Sequence, residues 1–273
     1  MIVYPGCKIN IGLNITKKLP NGYHALESVF YPILLSDILE VSKQSETKDS
    51  QFVYSGIEIP GDSESNIIKR AYEILKLDYD LPPIKVHLHK IVPMGAGLGG
   101  GSADASAILL LLNKLFELTI SKEKLLKYAA ELGADCPFFI INKPAFVSGI
   151  GQEIHEIDLE LSGKSILIVN PNLHINTGDA FNNITPKKLK QTFKSKVLNT
   201  NSSTWKSSIL NDFEEYVFRK YPEVLQVKET LYEMGAEYAS LSGSGSTVYG
   251  IFKSTSIDIP IELNKYFTYF EEL

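Results

Sequence analysis

Cysteine occurs twice in 273 residues, tryptophan once and methionine three times. Two cysteines cannot staple a chain of this length, so a disulfide scaffold is excluded. Basic charge is not in excess either. The chain carries 27 Lys+Arg against 32 Asp+Glu, a formal net charge of -5, where a protein that coats nucleic acid needs a basic face. Long hydrophobic runs are missing: Ile108 to Leu112 is among the longest, far short of the ~20 residues that span a bilayer. The opening MIVYPGCKIN lacks a charged segment followed by an apolar one, so no signal peptide is read there. Intrinsic disorder is excluded by a 44% hydrophobic content and a small net charge. What remains is a soluble, cytoplasmic, globular protein with no nucleic-acid or membrane partner. Its length allows roughly three quarters of the unfolded surface to be buried, in one large domain or two smaller ones.

No fixed-period repeat is present. Ile9, Ile11, Leu13 and Ile15 alternate as in a strand that stops at the turn Lys17 to Gly22. Further strands are expected at Ser28–Leu35, Asp37–Val41 and Phe52–Tyr54, and Ile84, Val86 and Leu88 alternate with polar residues in another. Helical spacing of Ile67, Ile68, Ala71, Ile74 and Leu75 predicts a helix over Asn66–Leu77. Ser102–Phe116 is apolar on most sides and reads as a buried helix. Lys122–Leu132 reads as a helix closed by Gly133. Beyond residue 160 come a strand at Ile166–Val169, a polar stretch, helices near Asp212–Arg219 and Pro222–Met234, and strands around Ala239–Leu241 and Thr247–Phe252. Between Ala180 and Asn211 there are six lysines and no acid, a pattern that suits a solvated face or a basic flap.

The most informative stretch is Pro93-Met-Gly-Ala-Gly-Leu-Gly-Gly-Gly-Ser-Ala-Asp-Ala-Ser106, in which five of the seven residues from Gly95 to Gly101 are glycine. Without Cβ atoms a backbone folds tightly enough for successive N–H groups to face one anion. The helix that follows adds unpaired N–H groups and a positive dipole end. Such a loop binds phosphate without a lysine. A Walker A loop would end Gly-Lys-Ser/Thr, and here the ending is Gly-Ser-Ala; protein-kinase motifs are missing from the sequence. Gly95-x-Gly97-x-x-Gly100 also fits a dinucleotide fingerprint, but several strands precede it and no acid-terminated strand follows at the required spacing.

This loop resembles the phosphate loop of the GHMP small-molecule kinases. Pro5-Gly-Cys-Lys-Ile-Asn-Ile-Gly-Leu-Asn14, Asn21-Gly-Tyr-His24, Leu132-Gly-Ala-Asp-Cys-Pro-Phe-Phe139 and Leu241-Ser-Gly-Ser-Gly-Ser-Thr247 stand in the order and spacing of one branch of that family, from about residue 2 to about 253. The resemblance implies an α+β, two-lobed fold. Residues 1–160 would form a ribosomal-protein-like α/β lobe with a left-handed βαβ crossover, and residues 161–273 a ferredoxin-like lobe. It further implies ATP as co-substrate, Mg²⁺ carried with the ATP, a cytidine diphosphate-linked sugar alcohol as the small-molecule acceptor, and a monomer or weak homodimer.

Residue by residue, the resemblance assigns the nucleotide to Pro93, Met94, Gly95, Ala96, Gly97, Leu98, Gly99, Gly100, Gly101, Ser102 and Ala103, with Lys90 and Asn66 near the phosphates and adenine. It assigns Asp135 as base. Residue type alone leaves open whether Asp135 caps the segment starting at Pro137. Lys8, which by type would be a solvated strand residue, would lie beside Asp135 and keep it ionised. Tyr23 and His24 would recognise cytosine, with Phe181 on the other face and Thr177 nearby, and Asn10 would position the sugar-alcohol end. Stacking on a base is tolerant of its identity, so discrimination must come from hydrogen bonds. Asn21 departs from the usual Asp, and both suit a turn. Ser242 to Ser246 matches a glycine-rich turn that abuts the phosphate loop, either as a plain connection or as a direct ligand. His87 and His89 lack Cys/His partners at metal spacing, so no protein-held metal is expected. A different GHMP kinase, a dinucleotide-dependent oxidoreductase and a non-catalytic nucleotide-binding module remain as rivals.

The cysteines flank the two proposed catalytic residues, Cys7 before Lys8 and Cys136 after Asp135. A strand neighbour points to the opposite face, which sends Cys7 into the core behind Lys8. Thiol titration in denaturant without reductant should therefore count two free thiols; a count of zero would establish a disulfide and overturn the reading.

Overall fold

The computed structural model describes residues 1–44, 49–60, 66–186 and 193–273. The first strands are β1 (Ile2–Val3), β2 (Gly6–Lys18), β3 (His24–Ser36), β4 (Ile38–Lys43), β5 (Gln51–Gly56) and β6 (Ile84–Lys90). The helices α1 (Ile67–Asp78), α2 (Gly100–Leu115), α3 (Lys122–Leu132) and α4 (Cys136–Ile141) accompany them. The chain divides into two compact units. One holds Met1–Lys8, Pro32–Met94 and Gly99–Lys143, and the other Ile9–Tyr31, Gly95–Leu98 and Pro144–Leu273.

In the first unit the sheet order is β1-β4-β6-β5, antiparallel except for the parallel pair β5–β6 that α1 connects. α1 buries Ile68, Ala71, Tyr72 and Leu75, one stripe at helical spacing. Its N-terminus is closed by Asn66, whose side-chain oxygen accepts the Ile68 N–H at 2.9 Å. α2 buries nine residues, including Ile108, Leu109, Leu111 and Leu112. It is a central helix wrapped by α1, α3 and α4, which explains its lack of a polar face. α3 begins at Ser121, which caps it by accepting the Lys124 N–H, and packs through Leu125, Tyr128, Ala129 and Leu132.

The second unit contains β7 (Ala145–Ser148), β8 (Glu153–Glu156), β9 (Ser165–Asn170), β10 (Tyr238–Leu241), β11 (Val248–Phe252) and β12 (Phe267–Glu272). Its helices are α5 (Thr177–Asn182), α6 (Phe193–Leu198), α7 (Glu214–Lys220) and α8 (Pro222–Glu233). One of its sheets is fully antiparallel in the order β10-β11-β9-β12. All six residues of β9 are buried, as a strand inside a covered sheet requires. α8 contributes Val224, Val227 and Leu231 to the core beneath. The other sheet runs β2-β3-β7-β8, where β3 pairs antiparallel with β7 and β7 with β8.

The long periodic segments fall where expected. The differences lie where periodicity is short. The polar stretch after Pro171 holds α5, α6 and a 3₁₀ turn over Ser202–Ser207, ordered by burial of Ala180, Phe193, Val197 and Trp205 rather than by any repeating pattern. Residues 187–192, with three of the six lysines, lie outside the described residues. The C-terminal strand β12 escapes sequence reading because its residues are only half-buried at the sheet edge. No described helix is long and apolar enough to cross a membrane.

Candidate active site

Within the first unit, the glycine-rich segment grows out of an ionic cluster at the end of β6. Lys90 is 2% exposed, yet its ammonium has two carboxylate partners. Its Nζ donates to Asp37 Oδ2 and, at 2.9 Å, to Asp104 Oδ2. Asp37, between β3 and β4, also accepts the backbone N–H groups of Ile91 at 2.6 Å and Val92 at 2.8 Å through Oδ1. One carboxylate thus holds the chain entering the loop, and the other belongs to the helix leaving it. Burial alone would lower the Lys90 pKa, but the carboxylates of Asp104 and Asp37 outweigh it and the pKa is raised. Burial pushes Asp104 up to about 7; Lys90 opposes this and the like charge of Asp37 adds to it. Asp104 Oδ1 is buried with no hydrogen-bond partner among the described residues. Sequence reading placed Lys90 near the nucleotide phosphates and missed both acids. The one available signal was an acid on the buried helix α2.

The head of α2 is built for close approach. Gly99 occupies the N-cap position with no side-chain cap, leaving the first N–H groups of the helix without a side-chain acceptor. A Cβ on Gly100 would lie 3.0 Å from Lys90 Nζ and 3.0 Å from a Val92 methyl, so the glycine lets the helix sit directly over the cluster. A Cβ on Gly101 would meet nothing within 4 Å, so that face is open. Pro93, Ala103 and Gly100 are buried, Ser102 is half-buried, and Met94 is exposed.

Lys8 and Asp135 are 127 positions apart in sequence and meet in the first unit, with Lys8 Nζ 3.5 Å from Asp135 Oδ2. Asp135 stands at the N-cap position of α4, but its side chain makes no capping bond. The carboxylate is instead paired with Lys8 and partly open to solvent, 32% exposed against 4% for the lysine side chain. The alternative left open by residue type, a plain helix cap, is not what the side chain does. Gly99 belongs to the same place: a Cβ there would lie 3.2 Å from Lys8 Cε and 3.0 Å from the Phe139 ring. An anion at the head of α2 would therefore be next to the Lys8–Asp135 pair. Cys7 and Cys136 are both buried free thiols. Burial pushes Cys136 up to about 11; the Asp135 charge adds to this and hydrogen bonds with Ser102 and Ser106 oppose it. It is inert packing beside a reactive pair.

In the second unit, Gly95 to Leu98 are held by the turn Ser242–Ser246. Ser242 Oγ donates to the Gly97 carbonyl at 2.8 Å, and the Thr247 N–H reaches the Ala96 carbonyl at 3.3 Å. Asn211 braces the turn by donating from Nδ2 to the carbonyls of Leu241 and Gly243, 2.8 Å each. Asn10 is 1% exposed. Its backbone N–H donates to Ser242 Oγ at 3.3 Å and its Nδ2 to Ser28 Oγ at 3.0 Å. Ala96 and Leu98 are buried. The turn is thus a brace for the loop, a role sequence alone did not separate from ligand contact.

Of the aromatic set, His24 and Phe181 stack directly, ring centroids 5.1 Å apart and planes inclined by 19°. Phe181 is backed edge-on by Phe213 at 4.9 Å. That spacing leaves no room for a base between His24 and Phe181. Tyr23 is 60% exposed on the turn, with its N–H on Asn21 Oδ1 at 3.2 Å. Burial, with help from the Lys18 charge, lowers the His24 pKa, so the ring is neutral at pH 7 and offers one donor and one acceptor. Thr177 Oγ1 pairs with Ser244 Oγ at 3.0 Å. Asn66 spends its side-chain oxygen on the α1 cap. Among the described residues no group of three or more His, Cys, Asp or Glu could hold a metal.

The family model for the GHMP kinases N terminal domain matches residues 66–143, and that for GHMP kinases C terminal matches 195–259. A 4-diphosphocytidyl-2-C-methyl-D-erythritol kinase of Bacteroides fragilis is 48% identical over 253 residues, covering 92% of each chain. One of Cytophaga hutchinsonii is 42% identical over 255 residues, covering 93% of each. A crystal structure of a 4-(cytidine 5'-diphospho)-2C-methyl-D-erythritol kinase superposes with a TM-score of 0.78 at 26% identity, over 93% of this chain and 91% of that one. A homoserine kinase from Cytophaga hutchinsonii, at 17% identity and TM-score 0.67 over 98% and 94%, shares the fold.

Gly97 is the most constrained glycine of the loop. Its φ is +79° and a Cβ would fall 1.9 Å from the Ser242 carbonyl oxygen, a backbone atom that cannot give way. Gly97→Ala should cost at least ~2 kcal/mol from strain and clash together and weaken ATP binding at least tenfold, read by thermal melting and calorimetry. Unchanged melting and affinity would refute this packing.

Proposed function

The chain belongs to the 4-diphosphocytidyl-2-C-methyl-D-erythritol kinase family of GHMP kinases, and on that premise we propose that it transfers the γ-phosphoryl group of ATP to the 2-hydroxyl of 4-diphosphocytidyl-2-C-methyl-D-erythritol, a step in the non-mevalonate route to isoprenoid precursors. Phosphoryl transfer demands positioning and charge stabilisation more than covalent help from the protein. The N–H groups of the loop and of the α2 head would hold the phosphates. Asp135 would take the hydroxyl proton as the oxygen forms its bond to the γ-phosphorus and the bond to the β-phosphate oxygen breaks, releasing ADP. Lys8 would hold Asp135 in place through their ion pair and counter charge developing on the attacking oxygen. The magnesium ion would arrive on the nucleotide, as part of that substrate.

For the acceptor, exposed Tyr23 would stack on cytosine, and neutral His24, held flat against Phe181, would offer its nitrogens to the base edge. Asn10 would orient the sugar-alcohol end. The protein would act as a monomer or weak homodimer in the cytoplasm.

The Lys8–Asp135 pair at 3.5 Å, beside the α2 head, is the observation that carries the chemistry. A non-catalytic module would have no reason to pair a buried lysine with a half-open carboxylate there. A dinucleotide oxidoreductase is disfavoured because β6, which leads into the loop, lies in a mixed sheet beside antiparallel β4, where a dinucleotide fold opens a parallel one.

Coupled ADP release with Mg-ATP should show turnover on the cytidyl substrate and little on mevalonate or homoserine; no turnover on the cytidyl compound overturns the assignment. Asp135→Asn should lower kcat by ~10²–10⁴ with nucleotide affinity nearly intact, and an unchanged rate would remove Asp135 as base.

A further inference from the structure

The cluster under the α2 head is not used by the mechanism above. It sets two carboxylates and one ammonium together, all nearly inaccessible: side-chain exposures are 1% for Lys90, 0% for Asp37 and 2% for Asp104. Their bonds tie the loop's entry, through the Ile91 and Val92 amides, to its exit, through the second turn of α2. Gly100 lies in contact range of Lys90 Nζ, so the charge state of the cluster acts directly on the helix head that faces the phosphates.

We infer that Asp37, Lys90 and Asp104 are positioning residues for the phosphate loop, and that nucleotide affinity follows the charge of Asp104. This rests on reading the loop as a nucleotide phosphate site. Two carboxylates buried on one ammonium cannot both ionise cheaply, because the second negative charge has neither water nor a second cation. Asp37 has two amides and the ammonium on its carboxylate. Asp104 has one bond to Lys90, the Asp37 carboxylate as its other close neighbour, and an Oδ1 with no hydrogen-bond partner among the described residues. Lys90 on β6 and Asp37 at the β3–β4 junction are the charged groups that face it. On the helices packed against α2, Arg70 of α1 and Asp135 at the start of α4 lie around the Cys136 thiol, and Tyr128 of α3 bonds Asp78. Asp104 therefore carries the proton, held up to a pKa of about 7.

The sign follows directly. The native state keeps a proton that the unfolded chain releases from about pH 4, so stability falls as pH rises through that window toward 7. Above 7 the cluster carries one net negative charge beneath an anion site, and nucleotide binding weakens. Binding of an anion conversely holds the proton on Asp104.

The test is calorimetric titration with Mg²⁺ and the non-hydrolysable analogue AMPPNP between pH 6 and pH 8.5. The wild-type dissociation constant should rise about tenfold, the effect of one pK unit of coupling. Asp104→Asn, which keeps size and an acceptor for Lys90, should lose that slope. Asp37→Asn, which removes the like charge, should move the slope to lower pH; it serves if the first variant melts too low to titrate. A flat wild-type curve, or a slope unchanged in both variants, overturns the inference. The acceptor is absent from these titrations, so failure to phosphorylate the cytidyl compound would refute the proposed function without touching this result.

Discussion

A buried ammonium shared between two carboxylates is the constraint on which the phosphate site is built. Lys90 alone in the core would cost several kcal/mol in lost hydration, and so would either acid. Together they satisfy one another and convert that liability into a fixed joint between β6 and α2. Removing one partner from such a group typically costs about 3–5 kcal/mol because an uncompensated charge stays behind, so the joint is hard to loosen. Close packing around the joint accounts for two of the three consecutive glycines. Gly99 and Gly100 are places where Phe139, Lys8, Lys90 and Val92 leave no space for a Cβ, and Gly101 faces open space. The residues before them are fixed separately within the second unit, by Ser242 and Asn211. Each half of the loop thus has its own anchor, and the amides between the anchors lose little entropy when an anion arrives.

The net charge of -5 sits awkwardly with two polyphosphate substrates until charge is followed to its location. In the proposed function anion binding would rely on main-chain N–H groups and a helix dipole, which add nothing to the formal count. Lys90, the cation nearest the loop in sequence, is neutralised from beneath, and Lys8 is paired with Asp135. Both lysines are thus committed to carboxylate partners. In that arrangement a change of one proton on Asp104 matters more than the sum of distant surface charges, which salt screens.

What sequence reveals and what it hides divides along physical lines. Segments with sustained period, such as the stripe Ile68–Leu75 or the alternation in β6, are legible because burial of one face selects one period. The phosphate loop is legible because only glycine tolerates its geometry. The Lys8–Asp135 meeting was available through resemblance alone, since no local rule links positions 127 apart. Asp37 and Asp104 were invisible for a different reason. An acid next to a strand or on a helix normally reads as solvated, and only tertiary structure shows that both are inaccessible and aimed at one lysine. The same applies to Asn66, a family position near the nucleotide whose side chain is spent on a cap, and to the direct stacking of His24 on Phe181, which sequence placed on opposite sides of a base.

That stack bears on how the acceptor is chosen. An aromatic face alone contributes ~1–3 kcal/mol to any base and cannot tell cytosine from uracil, whose edges differ by an exchange of donor and acceptor. A neutral imidazole has one of each, and which nitrogen carries the proton is set by its surroundings. By packing His24 flat on Phe181, which is itself braced by Phe213, the fold fixes the ring plane. By burial and the Lys18 charge it keeps the ring neutral. A charged imidazolium would present two donors and lose the acceptor that recognition of an amino group requires. In the proposed reading the ring stack would act through orientation and protonation state together, and selectivity for the base would rest on the lowered pKa of His24.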